Sequence, residues 1–413
     1  EDSLKKRYSI KLIANVISGI INIILVAVVP KALGPIAFGQ FSYLQQFFSQ
    51  LIAFLDAGTS TAFFSKLSAK HSRKELICFY LMFSFFLMLL LFSIVYFVDI
   101  AGFIFLFLPD IPPEYVYLGL WFGFFTWFTQ IFIKISDAYA LTVSVELIKI
   151  GHKLITLCLL LYLVHQFALS LSTYFFFHYF ALITFLMVLV ILFIKKKIFT
   201  RQILTLHLAY KSLISEFIRF SSPLFVFNVI GIGVGLFDIW LLQKMSGSVE
   251  TGFYGLAYSI AAMCFLFTSA MTPIITREFS KSYAGSDMNS IRRLFKKYIP
   301  MLYAVSAYFG VFTAFESENI LQIFTDERFH DAYAVLGVMA FYPIHQTYGQ
   351  LSGSLFFATE NTVQYRNIGI VSSLTGLVLT IVFVYFLELG ALGFAWKMIL
   401  AQVISVNIQL YFN

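Results

Sequence analysis

Apolar runs long enough to cross a bilayer recur from one end of this chain to the other, and nothing else narrows its possible folds as much. They lie at about residues 10–30, 39–63, 76–98, 115–136, 143–164, 170–194, 217–242, 252–276, 298–317, 332–357, 365–386 and 390–412. A hydrocarbon core about 30 Å thick takes roughly 20 helical residues to span. Lipid offers no partner to a backbone N–H or C=O group, so such a run crosses as a helix that bonds internally. Charged residues make up only 12% of the 413 positions, about half the share usual in a soluble domain. A soluble fold would need a dozen helices apolar on every face, which soluble helices are not. The first run is too long for a signal-peptide core and has no small-residue cleavage site after it, so it is expected to be a retained span. The pattern predicts an all-α polytopic membrane protein of about twelve transmembrane helices.

The connector after the first run has an echo 213 positions later. Lys31 pairs with Lys244, Gly34 with Gly247, Gly39 with Gly252 and Phe41 with Tyr254. The same offset sets Asn15-Val16-Ile17 on Asn228-Val229-Ile230. It places the seventh run on the first, and an even number of intervening spans keeps both copies in one orientation. The expectation is two parallel six-helix repeats around a central cavity, related by an axis along the membrane normal. The predicted boundaries are an N-terminal bundle at 1–197, a cytoplasmic linker at 198–216 and a C-terminal bundle at 217–413. In the linker Ile203, Leu204, Leu206, Leu208 and Leu213 alternate loosely with polar residues, as in an interfacial amphipathic helix. The segment Lys31 to Tyr43 is expected to be the turn between the first two spans.

Basic residues orient the chain. One set of connectors holds Lys5, Lys6, Arg7, Lys11, Lys66, Lys70, Arg73, Lys74, Lys195 to Lys197, Arg201, Lys211, Arg219, Arg277, Lys281, Arg292, Arg293, Lys296, Lys297 and Arg366. The other set offers only Lys31, Lys244 and Arg328. The positive-inside rule then puts both termini in the cytoplasm. The same bias accounts for the net charge of +7 through anionic headgroups of membrane lipids, without nucleic acid. Lys31 and Lys244 stand against the bias, and flanking an outer mouth where an anionic cargo is released is one reading of them.

The run Leu33-Gly34-Pro35-Ile36-Ala37-Phe38-Gly39-Gln40-Phe41 resembles the LGP-x-x-[FY]-G-x-[FY] connector of polysaccharide-unit transporters. These belong to the multidrug/oligosaccharidyl-lipid/polysaccharide exporter superfamily. Lys66 to Glu75 resembles the basic inner loop after their second span. The resemblance covers the whole chain in layout, while the second copy departs at Ser246 and Ser248, which replace Leu33 and Pro35. It implies a flippase of the bacterial cell inner membrane for O-antigen or similar repeat units. The cargo it implies is an undecaprenyl-pyrophosphate-linked glycan carried to the periplasmic leaflet. A polysaccharide polymerase and a chain-length regulator are the further partners it implies.

An ionisable group inside a span costs roughly 2.5–3.5 kcal/mol on insertion scales, so each one calls for a reason. Glu146, Lys149 and Lys153 share one helical face of the fifth run. Lys153 is about 15 Å deep at 1.5 Å per residue, too deep for easy snorkelling. A basic patch that binds pyrophosphate or acidic sugars in the cavity is one account; Glu146–Lys149 pairing beside one snorkelling lysine is the other. Lys397 has no acid on its own helix and needs a partner from another span or from cargo. Arg277 and Arg366, at inner span ends, are candidates for phosphate contact at cargo entry, against a role as plain topology signals. Asp56, Asp238 and Glu146 are the candidates for coupling to a proton or sodium gradient. Hydrogen-bonded or lysine-paired structural roles compete for them. Pro343 is expected to kink the tenth span, with His345 and Gln346 lining a sugar path or bonding between helices. Asn15 and Asn228, equivalent in the two copies, suggest a shared place at the interface between halves.

No Ser/His/Asp grouping, Gly-rich phosphate loop or metal-ligand spacing appears, so no catalytic residue, metal or cofactor is expected. An alternating-access flippase is the leading expectation. A cation-coupled multidrug exporter would favour an acid-rich cavity, which Lys149 and Lys153 oppose. A membrane-embedded glycosyltransferase or polymerase is disfavoured by the short outer connectors and the parallel repeat.

Overall fold

The computed structural model describes residues 4–56, 58–69, 74–199, 210–359 and 361–412. Among these residues every regular element is helical and there is no strand. Nine segments are long and apolar enough to cross a membrane. Two of them, Ile13–Asp56 and Val229–Ser269, are each two helices joined at a glycine. A twelfth span is assembled from Ala332–Met339 and Tyr342–Ala358, which break at Ala340 and Phe341. With Pro343 at the second position of its helix, its missing N–H removes no intrahelical bond. The remaining spans are Lys74–Ile100, Pro113–Ala138, Thr142–Gln166, Leu171–Lys195, Met288–Phe315, Thr362–Thr380 with a π turn at Ile381–Phe386, and Gly390–Phe412.

The repeated connector differs from the expected turn. Residues on both sides stay helical, and the chain turns at Gly34 alone, with φ 78° and ψ 169°. Its partner in the second copy, Gly247, has φ 77° and ψ −175°. Both sit in the region that a side chain disfavours. Pro35 resumes the helix at its first position, where a missing N–H is harmless.

Contacts divide the chain into two compact units. One comprises Glu1–Ser18 and Tyr43–Leu236, the other Gly19–Ser42 and Phe237–Asn413. The predicted linker at 198–216 lies largely outside the described residues; from Tyr210 onward it is the start of the helix that becomes the seventh span.

In the first unit the second span packs on the fourth through two glycines. A Cβ at Gly119 would stand 2.9 Å from Leu44 Cβ, and one at Gly123 would stand 2.8 Å from Phe48 Cβ. Small residues at four-residue spacing let membrane helices approach closely, where packing rather than water drives association. At the other end of the unit Phe63 stacks on Tyr80 with ring centroids 4.4 Å apart. Ile131, Ile135, Leu189 and Phe193 close that core.

In the second unit the two copies of the connector meet each other. A methyl at Gly39 would overlap the Ser248 carbonyl, and one at Gly252 would stand 2.5 Å from the Pro35 carbonyl. Since Pro35 and Ser248 are themselves equivalent, the crossing is locally two-fold. A Cβ at Gly255 would press 2.7 Å against Ser42 Oγ, and these positions are equivalent too. Phe329 inserts its ring beside Phe38 and Phe253, 6.3 Å and 6.1 Å away.

The outward faces carry the apolar side chains that a soluble protein would hide, among them Phe85, Phe97 and Tyr308 at 59%, 68% and 70% exposure. Gly39→Ala or Gly252→Ala should lower the midpoint of thermal unfolding in detergent, corresponding to about 1–3 kcal/mol of overpacking. Gly231→Ala, where an added Cβ meets nothing within 4 Å, should leave it unchanged. Fluorescence-detected unfolding of the three variants checks this.

Candidate functional site

The second unit encloses a charged pair. Asp238 of the seventh span and Lys397 of the twelfth form a salt bridge, with side chains 6% and 9% exposed. The Lys397 ammonium also lies 4.8 Å over the Phe394 ring. Phe394 in turn meets Tyr254 edge-on at 4.7 Å. Gly376 leaves room for the lysine, since a Cβ there would stand 3.3 Å from Lys397 Cε. Two charges taken out of water must be compensated locally, and one is not fully so. Asp238 Oδ1 is buried with no hydrogen-bond donor among the described residues. The partner that the sequence required for Lys397 is therefore Asp238.

Two spans further round, Thr268, Ser306 and Thr347 join their hydroxyls at 2.8–3.4 Å across the eighth, ninth and tenth spans. His345 lies on the tenth span beside Tyr303, with ring centroids 6.5 Å apart, and Gln346 is half-buried next to it. Hydroxyls at such spacing carry no sequence signal that separates them from helix-satisfied serines and threonines.

In the first unit Asp56 closes the second span and caps the helix Thr59–Ala69. Its carboxylate accepts from Thr59 Oγ1 at 2.9 Å, Ser60 N at 3.1 Å, Ser60 Oγ at 2.8 Å and Tyr80 OH at 2.8 Å. Lys134 donates to Ser60 Oγ at 2.7 Å and brings a cation to the same cluster. Four donors hold this carboxylate, three on Oδ1 and one on Oδ2, so its geometry is that of a fixed helix cap. Tyr80 and Lys134 come from other spans, which is why only Asp56 itself drew notice in the sequence.

The fifth span carries the basic face. Lys149 Nζ lies 3.4 Å from Glu146 Oε2, a loose pair whose acid is buried and whose base is 30% exposed. One turn deeper, half-buried Lys153 has no hydrogen-bond or ion-pair partner among the described residues. It stands eleven residues beyond Thr142, roughly 16 Å along the axis.

The other candidates are scattered. Arg366 is exposed and bonds Asn367 Oδ1 at 3.2 Å and 3.3 Å. Asn15 is half-buried in the first span. Asn228 and Arg277 lie on helices, and their side chains fall outside the description. Lys31 and Lys244, read as flanking an outer mouth, both have partners within the protein. Lys31 Nζ donates to the Ile323 carbonyl at 3.0 Å, and Lys244 sits 4.7 Å over the Trp240 ring. Arg328 caps the end of the first span by donating to the Lys31 carbonyl at 2.6 Å. It occupies the notch left by Gly34 and pairs with Asp326 at 2.7 Å, which holds the Asp326 carboxyl below its ordinary range.

Comparison with solved structures gives the fold independently. The lipid II flippase MurJ in an inward closed conformation is similar with a TM-score of 0.76 at 14% identity, over 97% of this chain and 86% of that one. An inward-facing multidrug resistance MATE family transporter of the MOP superfamily gives 0.67 at 14%, over 100% and 95%. A MOP superfamily transporter from Pyrococcus furiosus gives 0.61 at 14%, over 98% and 92%. That last structure is described as having a binding pocket of reverse polarity that suggests a different function. No curated protein matches. The family model described as polysaccharide biosynthesis protein matches residues 4–279, two thirds of the chain. By this match the chain belongs to the polysaccharide biosynthesis protein family.

Proposed function

We propose that this protein is a flippase that moves an undecaprenyl-pyrophosphate-linked oligosaccharide, an O-antigen or similar repeat unit, across the bacterial inner membrane by alternating access. The observation that carries the proposal is Lys153. A cation this deep in a span, with no ion-pair partner among the described residues and only the more distant Glu146 attracting it, gains from an anion that offsets its desolvation, and the cargo's pyrophosphate is one. Lys149, only loosely held by Glu146, adds a second positive group on the same helical face. In this reading the isoprenoid tail stays in lipid while the head crosses, both termini face the cytoplasm, and a polymerase and chain-length regulator act on the product.

Coupling falls to Asp238, whose Oδ1 is open to a proton or a sodium ion. Asp56 is the weaker candidate, because four donors already hold its carboxylate as a helix cap. A cation-coupled multidrug exporter is the second reading, and the open oxygen of Asp238 is the observation on its side. An unpartnered lysine repels the cationic compounds that such exporters carry, so the first reading is preferred.

Lys153→Ala is expected to abolish surface polysaccharide in cells while the protein reaches the membrane at normal levels, and Lys153→Arg should retain part of the activity. Surface polymer at wild-type length and amount in the alanine variant would reject the assignment.

The buried pair gives a separate expectation. Lys397→Met alone strands Asp238 and should destabilise the protein by about 3–5 kcal/mol, whereas Lys397→Met with Asp238→Asn should recover most of that loss. If Asp238 couples transport to an ion, the double variant unfolds at a near-normal temperature but no longer responds to a collapsed ion gradient. A double variant with full gradient dependence would remove Asp238 from that role.

A further inference from the structure

The ninth span opens with four basic residues, Arg292, Arg293, Lys296 and Lys297, on the face that the charge bias assigns to the cytoplasm. If they served only as a topology signal, all four would be equivalent. They are not. Arg293 donates to Ser290 Oγ at 3.0 Å, and Lys297 lies 5.2 Å over the Tyr298 ring. Arg292 and Lys296 have no hydrogen-bond or ion-pair partner among the described residues, and both line a cavity of about 510 Å³.

That volume is within the range of small-molecule sites, about 300–1,000 Å³. The cavity lies where the start of the Met288–Phe315 helix meets the end of the Tyr342–Ala358 helix and the end of the Gly390–Phe412 helix. Asn289, Thr359 and Asn361 add polar groups beside the two cations, while Phe295, Phe356 and Phe412 supply the apolar walls. Met288 and Phe412, both lining it, are 59% and 47% exposed. Arg292 and Lys296 stand four and eight residues past Met288, roughly 6 and 12 Å along the axis, within the first turns of the span.

We infer that this cavity is a resident site for the phosphodiester headgroup of an anionic glycerophospholipid. The phosphate would sit between Arg292 and Lys296, with an acyl chain leaving along Met288 and Phe412. The exposed apolar rim favours a lipid over a free phosphate, because a soluble anion gains nothing from it. Basic pockets between spans on the cytoplasmic side hold anionic headgroups by this combination of charge and apolar wall. The site is independent of the transported cargo and does not rest on the flippase reading.

Native mass spectrometry of the full-length protein titrated with phosphatidylglycerol tests it. The wild type should retain one phosphatidylglycerol at concentrations where phosphatidylcholine is lost. Arg292→Ala with Lys296→Ala should weaken that binding roughly tenfold or more, and Arg293→Ala with Lys297→Ala should leave it unchanged. Equal loss in both double variants, or equal retention of phosphatidylcholine, would overturn the site. Displacement of the lipid by millimolar inorganic phosphate would assign the cavity to a free anion and overturn it as well. If the first double variant fails to insert, Thr359→Phe, which fills the cavity without changing charge, should give the same loss, and unaltered binding in it would refute the proposal.

Discussion

Two membrane helices reach backbone contact only where neither presents a Cβ, and the meeting of Gly39 with Gly252 is such a place. Much of the second unit depends on it. Lipid tails are as apolar as the side chains, so association draws on close packing and has little hydrophobic drive. The breaks at Gly34 and Gly247 set the two helices on their courses, and the pairing of Pro35 with Gly252 and Ser248 with Gly39 fixes where they cross. Arg328 then fills the Gly34 notch and satisfies the carbonyl end of the first span. One residue type, repeated at one offset, therefore supplies turn, crossing and cap.

Against that apolar frame the intramembrane charges fall into three conditions. Asp56 accepts from four donors and belongs to the architecture. Asp238 and Lys397 satisfy each other but leave one carboxylate oxygen open. Lys153 is satisfied by no described residue. Desolvation acts on all three alike, so the degree of compensation separates structural charges from those with something left to bind. By this measure the proposed function draws on Lys153 and Asp238, while Lys31 and Lys244 each have a partner within the protein.

The spans and their repeat were legible because lipid enforces them: an apolar run of that length has one structural solution. The ends were less so. Lys31 to Tyr43 read as a turn because glycine and proline mark loops in water, whereas in a membrane they mark a single-residue break. The ninth span read as starting near residue 298, yet the helix begins at Met288, because its basic first turns extend past the lipid. For the site, the polar residues could be found but not their partners. Asp238 and Lys397 are 159 positions apart, and no spacing rule joins them. Thr59, Ser60 and Tyr80 are too ordinary as residue types to announce that they surround Asp56. The break before Pro343 was readable, because proline suits the first turn of a helix and not its interior.

The central claim is that the protein itself carries the anionic head of a lipid-linked glycan through the bilayer. Purified protein in liposomes loaded with a short undecaprenyl-pyrophosphate-linked oligosaccharide in one leaflet tests it directly. A lectin or glycosidase added outside reports how much sugar has crossed. The account predicts that sugar becomes accessible many times faster than in protein-free liposomes, while a fluorescent phosphatidylcholine crosses no faster. Equal rates with and without the protein, or equal acceleration of both lipids, would contradict it.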